Sequence, residues 1–262
     1  MMETMAAARV TQKDLWDLRG HPLEETLVRH EARIEPFRDR HAGQRCVIIG
    51  NGPSLLRTDL TRLGKLPTFG LNKIYLHEQA MGFAPTYHVT VNPYVMVQAR
   101  DGIMSQPGPK FFSHAGIPLM PETDEVIFVR DIVRKEFSAN LRQGWLLLHT
   151  VTFCAMQMAY YMGFAEVVLV GVDHSYQAPH DPNKLVTAQT VDPNHFHPNY
   201  FGPGTQWQLP DLGGSEEVYR MARVAFEADR RRIVDATVGG RLQIFEKADF
   251  NALFPARRVA RP

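Results

Sequence analysis

One stretch constrains the fold of this chain more than any other: four apolar β-forming residues that lead directly into a glycine-rich turn, Arg45-Cys46-Val47-Ile48-Ile49-Gly50-Asn51-Gly52-Pro53-Ser54-Leu55. A helical pattern follows. A buried strand that breaks at glycines and opens a helix places unpaired backbone N–H groups at one point. Gly50 and Gly52 permit positive φ and close approach of a ligand to the backbone, and Pro53 suits a first helical turn. The stretch predicts an α/β fold with an anion-binding turn suited to phosphate.

The same turn departs from two known phosphate-binding motifs. Leu55 stands where a dinucleotide fingerprint has its third glycine, and Leu56 and Arg57 occupy the place of the P-loop lysine. A strand-to-helix turn without any ligand would use similar residues. This stretch alone therefore leaves a structural and a functional interpretation open.

Further short apolar runs predict a mostly parallel sheet with flanking helices, a Rossmann-like α/β fold. The predicted strands are Arg45–Ile49, Thr68–Asn72, Tyr87–Pro93, Lys110–Phe112, Glu125–Val129 and Glu166–Val170, with later candidates at 233–237 and 242–245. Helices are predicted within 11–42 and at 55–63, 146–162 and 215–232. Ligands of such sheets bind outside the carboxyl ends of the strands. We therefore expect one edge to hold the glycine turn, Asn72, Asn92 and the run Asp173-His174-Ser175-Tyr176.

The segment at about 177–212 has little apolar periodicity and is rich in Pro, Asn, Asp, His and Gly. A long irregular segment inside a compact domain is typical of an active-site lid, and interleaved aromatic residues indicate that this lid packs on something. Residues 1–44 are expected to form an N-terminal helical extension packed on the domain. Residues 45–262 are expected to form a single Rossmann-like nucleotide-binding domain that includes the lid.

Composition excludes several classes of function. With a formal charge of +1 over 262 residues, the composition gives no reason to expect a nucleic-acid-binding surface or a polybasic membrane anchor. The two cysteines, Cys46 and Cys154, lie in apolar runs, which favours buried thiols in a reducing cytoplasm. Met1–Val10 lacks a signal-peptide apolar region, and polar residues interrupt the longest apolar run, so no transmembrane segment is expected. The sequence leaves the oligomeric state open, with a homo-oligomer among the alternatives.

With these features in place, the sequence resembles a known family. It is similar to proteins related to the archaeal 6-hydroxymethylpterin diphosphokinase, to motility accessory factors and to the bacterial CMP-sialic-acid sialyltransferases. The resemblance covers roughly 45–93 and 146–176. The residues that carry it are Val47–Leu55, Phe69-Gly70-Leu71-Asn72, Tyr87-His88-Val89 with Asn92-Pro93, Gly163-Phe164 and Gly171-Val172-Asp173.

The resemblance implies a Rossmann-like domain that binds an activated nucleotide at the Gly-Asn-Gly turn, with Asn51 and Asn72 contacting CMP. Tyrosines that follow the Gly-Ile-Asp motif of the sialyltransferases bind the phosphate of the leaving CMP. Here Ser175 and Tyr176 fall near the first of them, and no second tyrosine follows at a short distance. The family's serine at the start of the later helix falls at Val151, beside Thr150 and Thr152.

The leading hypothesis is a metal-independent glycosyltransferase that moves a CMP-activated acidic sugar, sialic-acid-like or another nonulosonic acid, to the hydroxyl of a glycan or other acceptor. The family's catalytic histidine comes from the lid, so His195 and His197 are the candidate bases, because histidine is well matched to neutral pH. Tyr176 and Ser175 are placed near the leaving group. The other predicted nucleotide-binding residues are Gly50, Asn51, Gly52, Pro53, Ser54, Asn72, Asn92, Thr150, Asp173 and His174. No cofactor is required.

Three alternatives stay open. An ATP-dependent pyrophosphokinase acting on 6-hydroxymethyl-dihydropterin would need Mg²⁺, for which Asp173 and Asp211 are the candidate ligands, with Asp235 as an additional one. A zinc site would use His174, His180, His195 and His197, although solvated or lid-packing histidines are the favoured interpretation. A relative that binds a nucleotide without turnover is the third. His88 and His149, within apolar segments, are predicted to be satisfied core histidines.

Overall fold

A computed structural model describes residues 22–133, 136–176 and 181–256. The predictions for 1–21 and 177–180 (including His180), and for the basic tail from 257, lie outside the described residues. The strands are β1 (Arg45–Ile49), β2 (Thr68–Leu71), β3 (Tyr87–Thr90), β4 (Lys110–Ser113), β5 (Val126–Val129), β6 (Asp131–Ile132), β7 (Trp145–Leu146), β8 (Glu166–Val170), β9 (Leu185–Thr187), β10 (Gln206–Gln208), β11 (Arg232–Asp235) and β12 (Glu246–Lys247). The α-helices are α1 (Pro22–Ile34), α2 (Glu78–Met81), α3 (Pro93–Gln98), α4 (Arg100–Met104), α5 (Val151–Tyr161), α6 (Leu212–Ala228) and α7 (Phe250–Leu253).

Eight of these strands form one sheet in the order β12-β11-β8-β1-β2-β3-β4-β5. Every pairing within it is parallel. The strand order reverses between β1 and β8, because the chain continues from β1 to β2 on one side and returns to β8 on the other. This is the α/β Rossmann-like architecture predicted from the sequence, and the point of reversal is where such sheets form a crevice.

The core lies on both faces of the sheet. In β1, Cys46 and Ile48 join the cluster that includes residues of α5 and α6, while Val47 and Ile49 join the cluster on the opposite face. All four are fully buried, which explains why this strand reads as a continuous apolar run. Full burial of each such side chain contributes about 1.5–3 kcal/mol.

Helix α1 covers the edge of the sheet at β5. Its buried His30 accepts a hydrogen bond at Nδ1 from the amide of Phe128, at 3.1 Å, and its Glu24 pairs with Arg130. The α1 side chains of Leu27 and Ile34 are buried. Residues 22–34 are therefore packed on the sheet that begins at residue 45.

Helix α5 begins five residues later than the sequence predicted. Leu146 is extended in β7, where Gln157 holds it in place: Gln157 Oε1 accepts the Leu146 amide at 2.9 Å and Nε2 donates to the Leu146 carbonyl. His149 has a φ of +57°, and Thr150 caps the helix by accepting the Thr152 amide. Apolar character continued through Leu147 and Leu148, so hydrophobicity alone placed the start too early.

Other boundaries also differ from the predictions. The predicted helix at 55–63 is two 3₁₀ segments, Pro53–Arg57 and Leu60–Leu63. Helix α6 begins at Leu212 because Asp211 caps it through the Gly214 amide at 2.9 Å. The last strand is Glu246–Lys247 and not 242–245, where buried Leu242 and Phe245 pack in the core.

The predicted lid contains a small antiparallel ribbon of β9 and β10. It is anchored at several points: the Phe196 amide donates to the Asn51 carbonyl at 3.0 Å, and Asn92 Nδ2 donates to Gln208 Oε1 at 3.1 Å. Buried Lys73 donates to the carbonyl of Tyr200 at 2.7 Å. The described part of this segment is thus held over the carboxyl ends of β1, β2 and β3.

Both cysteines are free and buried, as predicted. His88 is buried, as predicted, with Nε2 3.1 Å from Thr90 Oγ1. Its Nδ1 has no hydrogen-bond partner among the described residues, so the ring is not fully satisfied, in contrast to the prediction. Within the described ranges no helix is long and apolar enough to cross a membrane.

Candidate functional site

A cavity of about 460 Å³ opens at the carboxyl edge of the sheet, beneath the lid. Of the predicted site residues, eleven line it and three do not. Those that line it are Gly50, Asn51, Gly52, Asn72, Asn92, Thr150, Asp173, His174, Ser175, Tyr176 and His195. Pro53, Ser54 and His197 lie outside the lining. The topology therefore brings together the ends of β1, β2, β3, β4 and β8, the starts of α3, α5 and α6, and the lid.

The glycine turn is not the open amide cradle that the sequence predicted. The Gly50 amide donates to the Val170 carbonyl at 2.8 Å and the Gly52 amide to the Gly171 carbonyl at 2.9 Å. The Ser54 amide donates to Asp173 Oδ1 at 3.0 Å. These three N–H groups are therefore satisfied within the chain, and a 3₁₀ segment follows in place of an α-helix.

The glycines of this turn are required by packing between strand ends. A Cβ on Gly50 would lie 2.3 Å from the Gly171 carbonyl oxygen, and one on Gly52 would lie 1.8 Å from Asp173 Oδ2. Gly52 has a φ of −71°, so freedom of φ is not the reason for glycine there. The sequence predicted that a ligand would approach the backbone of these glycines. In the structure, Gly171 and Asp173, which follow β8, occupy that space.

Asp173 closes this turn. Besides the Ser54 amide, its carboxylate accepts the Ser54 hydroxyl at 2.6 Å, and Ser54 is fully buried. Burial raises the pKa of Asp173 above its usual value, while the hydrogen bonds from Ser54 oppose that rise. The Asp173 carboxylate therefore links the turn after β1 to the turn after β8.

Two carboxamides keep unpaired oxygens in the cavity wall. Asn51 Oδ1 and Asn72 Oδ1 are buried and have no hydrogen-bond partner in the described chain. Asn72 also holds a φ of +50° at the end of β2, a conformation that costs a non-glycine residue free energy and clusters at functional sites. A buried oxygen without a hydrogen-bond partner costs about 1–3 kcal/mol. A ligand that donates a hydrogen bond to such a carboxamide oxygen would remove that cost.

His195 stands at the centre of a hydrogen-bonded chain on the lid. Its Nδ1 lies 2.6 Å from Asp192 Oδ2 and its Nε2 lies 3.0 Å from the Tyr176 hydroxyl. A carboxylate can only accept, so Nδ1 carries the proton and the tyrosine hydroxyl donates to Nε2. The ring stacks on Tyr200 with centroids 3.9 Å apart. Asp192 thus fixes both the tautomer and the orientation of His195.

Burial raises the pKa of Tyr176 well above its usual range, so this residue is held as the neutral phenol. His197 lies elsewhere. Its Nδ1 accepts the Asn199 amide at 3.2 Å, and it is not among the residues that line the cavity. Of the two histidines predicted from the lid, only His195 contacts the cavity.

His149 is not the core histidine that the sequence predicted. It lines the cavity, its side chain is 25% exposed, and Nδ1 lies 2.9 Å from Asp211 Oδ2. The signal that could have identified it is position: it directly precedes Thr150, the cap of α5, and the start of that helix lines the cavity.

Two further pairs line or border the same space. His174, with a φ of +52°, donates from Nε2 to Glu216 Oε1 at 3.1 Å, and this bond lowers the pKa of Glu216. His114 Nδ1 accepts the Asp131 amide at 2.9 Å. Asp131 in turn accepts the Trp145 indole N–H at 2.7 Å. These pairs lie where helix starts and strand ends meet, and sequence analysis missed the second of them.

Aromatic rings form one wall of the cavity. Trp207 of β10 stacks on Phe201 with centroids 5.0 Å apart and on Tyr176 at 6.3 Å. Among the described residues that line the cavity, none is lysine or arginine. The site therefore offers stacking surfaces, carboxamides and histidines in place of fixed cations.

The carboxylates proposed for Mg²⁺ are engaged in other contacts. Asp173 is bound by Ser54 and Asp211 by His149, while Asp235 pairs with Lys247 at 2.6 Å. Within the described residues no three His, Cys, Asp or Glu side chains are grouped to hold a metal ion. The zinc alternative gains no support, because His174 contacts Glu216, His195 contacts Asp192, and His180 lies outside the described residues.

A comparison with solved structures finds a protein of similar fold. A solved structure described as a MAf glycosyltransferase from Magnetospirillum magneticum AMB-1 aligns with a TM-score of 0.52 and 16% sequence identity, over 88% of this chain. The alignment covers 39% of that protein, so this chain spans about two fifths of its length. No protein family's sequence pattern and no curated protein matches this chain. In fold, the chain is similar to a motility accessory factor glycosyltransferase.

Proposed function

We propose that this chain is a glycosyltransferase that transfers a CMP-activated acidic sugar to an acceptor hydroxyl, with His195 as general base. The observation that carries the proposal is the Asp192–His195–Tyr176 chain on the wall of a cavity at the reversal point of the sheet. The likeness in fold to a MAf glycosyltransferase supports it. The resemblance to CMP-sialic-acid sialyltransferases suggests the donor.

The chemistry of the cavity wall favours a nucleotide with one phosphate. A nucleoside diphosphate or triphosphate is usually held by lysine, arginine or a metal ion, and the described lining contains no lysine or arginine. Asn51 and Asn72 would bind the polar edge of the base through their unpaired oxygens. Trp207 would supply a stacking surface for a ring of the donor.

In the proposed reaction the acceptor hydroxyl loses its proton as its oxygen attacks the anomeric carbon. His195 receives that proton through Tyr176, whose hydroxyl already donates to Nε2. Asp192 stabilises the imidazolium that forms. The relay suits Tyr176, because its raised pKa makes a free phenolate unfavourable and a concerted transfer preferable. Departure of CMP as a phosphate monoester requires no metal.

The pyrophosphokinase alternative has less support. It needs carboxylates that are free to bridge Mg²⁺ and phosphates, whereas Asp173, Asp211 and Asp235 each contact a partner within the chain. Transfer that persists in EDTA is expected under the glycosyltransferase proposal. A nucleotide-binding protein without turnover would show affinity for CMP and no product.

A matched pair of variants tests the base. His195→Gln is expected to lower kcat for transfer from CMP-sialic acid by about 10²–10⁴, with CMP affinity retained. His197, two positions from His195 in the same lid, lies outside the cavity lining, so His197→Gln is expected to keep wild-type turnover. Equal loss in both variants, or turnover retained in His195→Gln, would show that the base lies elsewhere.

A further inference from the structure

A second histidine–carboxylate pair borders the cavity at the starts of α5 and α6. His149 Nδ1 lies 2.9 Å from Asp211 Oδ2. Asp211 caps α6, because its other oxygen accepts the Gly214 amide at 2.9 Å. Both carboxylate oxygens are thus engaged, which fixes the carboxylate against the ring.

Two backbone features fix the position of the His149 ring. His149 has a φ of +57°, a conformation that is uncommon for residues other than glycine. A Cβ on Gly214 would lie 2.3 Å from His149 Nδ1 and Cε1. Glycine in the first turn of α6 is therefore what allows the ring to lie there.

The other ring nitrogen of His149, a residue that lines the cavity, is Nε2. An ionised carboxylate only accepts hydrogen bonds, so the contact with Asp211 favours the proton on Nδ1. No described residue bonds Nε2 of His149. In contrast, Nε2 of His174 is bound to Glu216 and Nε2 of His195 to Tyr176. His149 can therefore offer Nε2 to a ligand without breaking a bond within the chain.

The surroundings favour an anion at that nitrogen. Thr150, Val151 and Thr152, at the start of α5, line the cavity beside His149, and so do Leu212 and Ser215 of α6. The amino-terminal ends of both helices carry partial positive charge. Since the described lining holds no lysine or arginine, a protonated histidine is the cationic donor that this end of the cavity can supply.

We propose that the imidazolium form of His149, positioned by Asp211, donates a hydrogen bond and then its Nε2 proton to the phosphate of the departing nucleotide, which leaves a neutral ring with its proton on Nδ1. This inference rests on the proposed transferase function. The bond between the anomeric carbon and the phosphate oxygen breaks with its electron pair on that oxygen, which takes the proton from His149. The acceptor's proton goes to His195, and exchange with water restores both histidines.

Calorimetry with CMP and cytidine tests the phosphate contact. Wild-type protein is expected to bind CMP more tightly than cytidine, and His149→Gln is expected to lose about tenfold to a hundredfold of that preference while cytidine affinity stays unchanged. Asp211→Asn, which keeps a capping side chain, should lose part of the preference. His197→Gln is the matched control. An unchanged CMP-to-cytidine ratio in His149→Gln would overturn the inference even if transfer activity is found.

A second readout separates this inference from the proposed function. In wild-type protein with labelled histidines, the NMR signal absent from His149→Gln is assigned to His149, and inorganic phosphate is then added. A saturable shift of that signal supports the anion contact, whether or not CMP is the natural ligand. A signal that does not move refutes the contact. Failure of CMP to bind, together with a shift caused by phosphate, would reject only the CMP-transferase proposal.

Discussion

The bridge between Asp173 and Ser54 gives a prediction that needs no knowledge of the substrate. Replacing Asp173 with alanine removes the acceptor of the Ser54 amide at 3.0 Å and of its hydroxyl at 2.6 Å. Ser54 is fully buried, so neither donor gains water in exchange. Each unmet donor costs about 1–3 kcal/mol.

The free energy of unfolding that Asp173→Ala loses through these two unmet donors is partly offset. The carboxylate is itself desolvated, and this burial raises the pKa of Asp173, so its removal relieves an unfavourable charge. We therefore expect Asp173→Ala to lower the free energy of unfolding by about 2–4 kcal/mol. Asp173→Asn keeps an acceptor for the amide and should lose about 1 kcal/mol.

Urea unfolding at pH 7 measures these differences. Asp124→Ala is the matched control, because the Asp124 side chain is exposed, and its stability should stay within about 0.5 kcal/mol of wild type. A double-mutant cycle with Ser54→Ala should show coupling between the two positions. Additive effects, or a cost for Asp173→Ala no larger than the control, would refute the view that this turn is closed by its own chain.

Three further variants test other parts of the site. Gly214→Ala, whose Cβ would lie 2.3 Å from the His149 ring, should reduce the preference for CMP over cytidine in calorimetry and leave circular dichroism unchanged; an unaffected preference would contradict the role of this glycine. Trp207→Ala, which removes the ring stacked on Phe201, should weaken CMP binding by about tenfold in calorimetry, and unchanged binding would remove the aromatic wall from the site. Burial lowers the pKa of His88 to about 3 from 6.5, so between those values the unfolded chain binds a proton that the folded chain does not, and stability falls on acidification by about 1.4 kcal/mol per pH unit. His88→Gln should flatten urea-measured stability between pH 6.5 and 4, whereas a curve parallel to wild type would contradict the shift.

The sequence predicted the central strands well because their signal is local. Both β1 and β8 were predicted with the bounds observed, Arg45–Ile49 and Glu166–Val170. Each is a short apolar run that stops at a glycine, and both faces of such a strand are buried. The parallel sheet and the ligand-facing edge followed from those runs.

The errors have a common physical origin in contacts between distant residues. The amides of the glycine turn are satisfied by Val170, Gly171 and Asp173, about 120 positions away. No local pattern reveals these partners. His149 was assigned to the core for the same reason, since Asp211, its partner, belongs to another helix.

Hydrophobicity also misled at the start of α5. Leu147 and Leu148 continue the apolar run into what is extended chain, and the cap at Thr150 competes with that signal. The polar side chains that define the site lie just beyond such ends. The sequence predicted the right types of element with displaced ends. That was enough to locate the ligand-facing edge of the sheet, but it did not identify His149 as a residue of that edge.

A crystal structure with CMP bound tests the central claim most directly. The account predicts the nucleotide in the cavity beneath the lid, with its base edge at Asn51 and Asn72 and its phosphate within hydrogen-bond distance of His149 Nε2 and the first turn of α5. A phosphate bound at the amides of Gly50, Gly52 and Ser54, or a nucleotide bound outside this cavity, would contradict it.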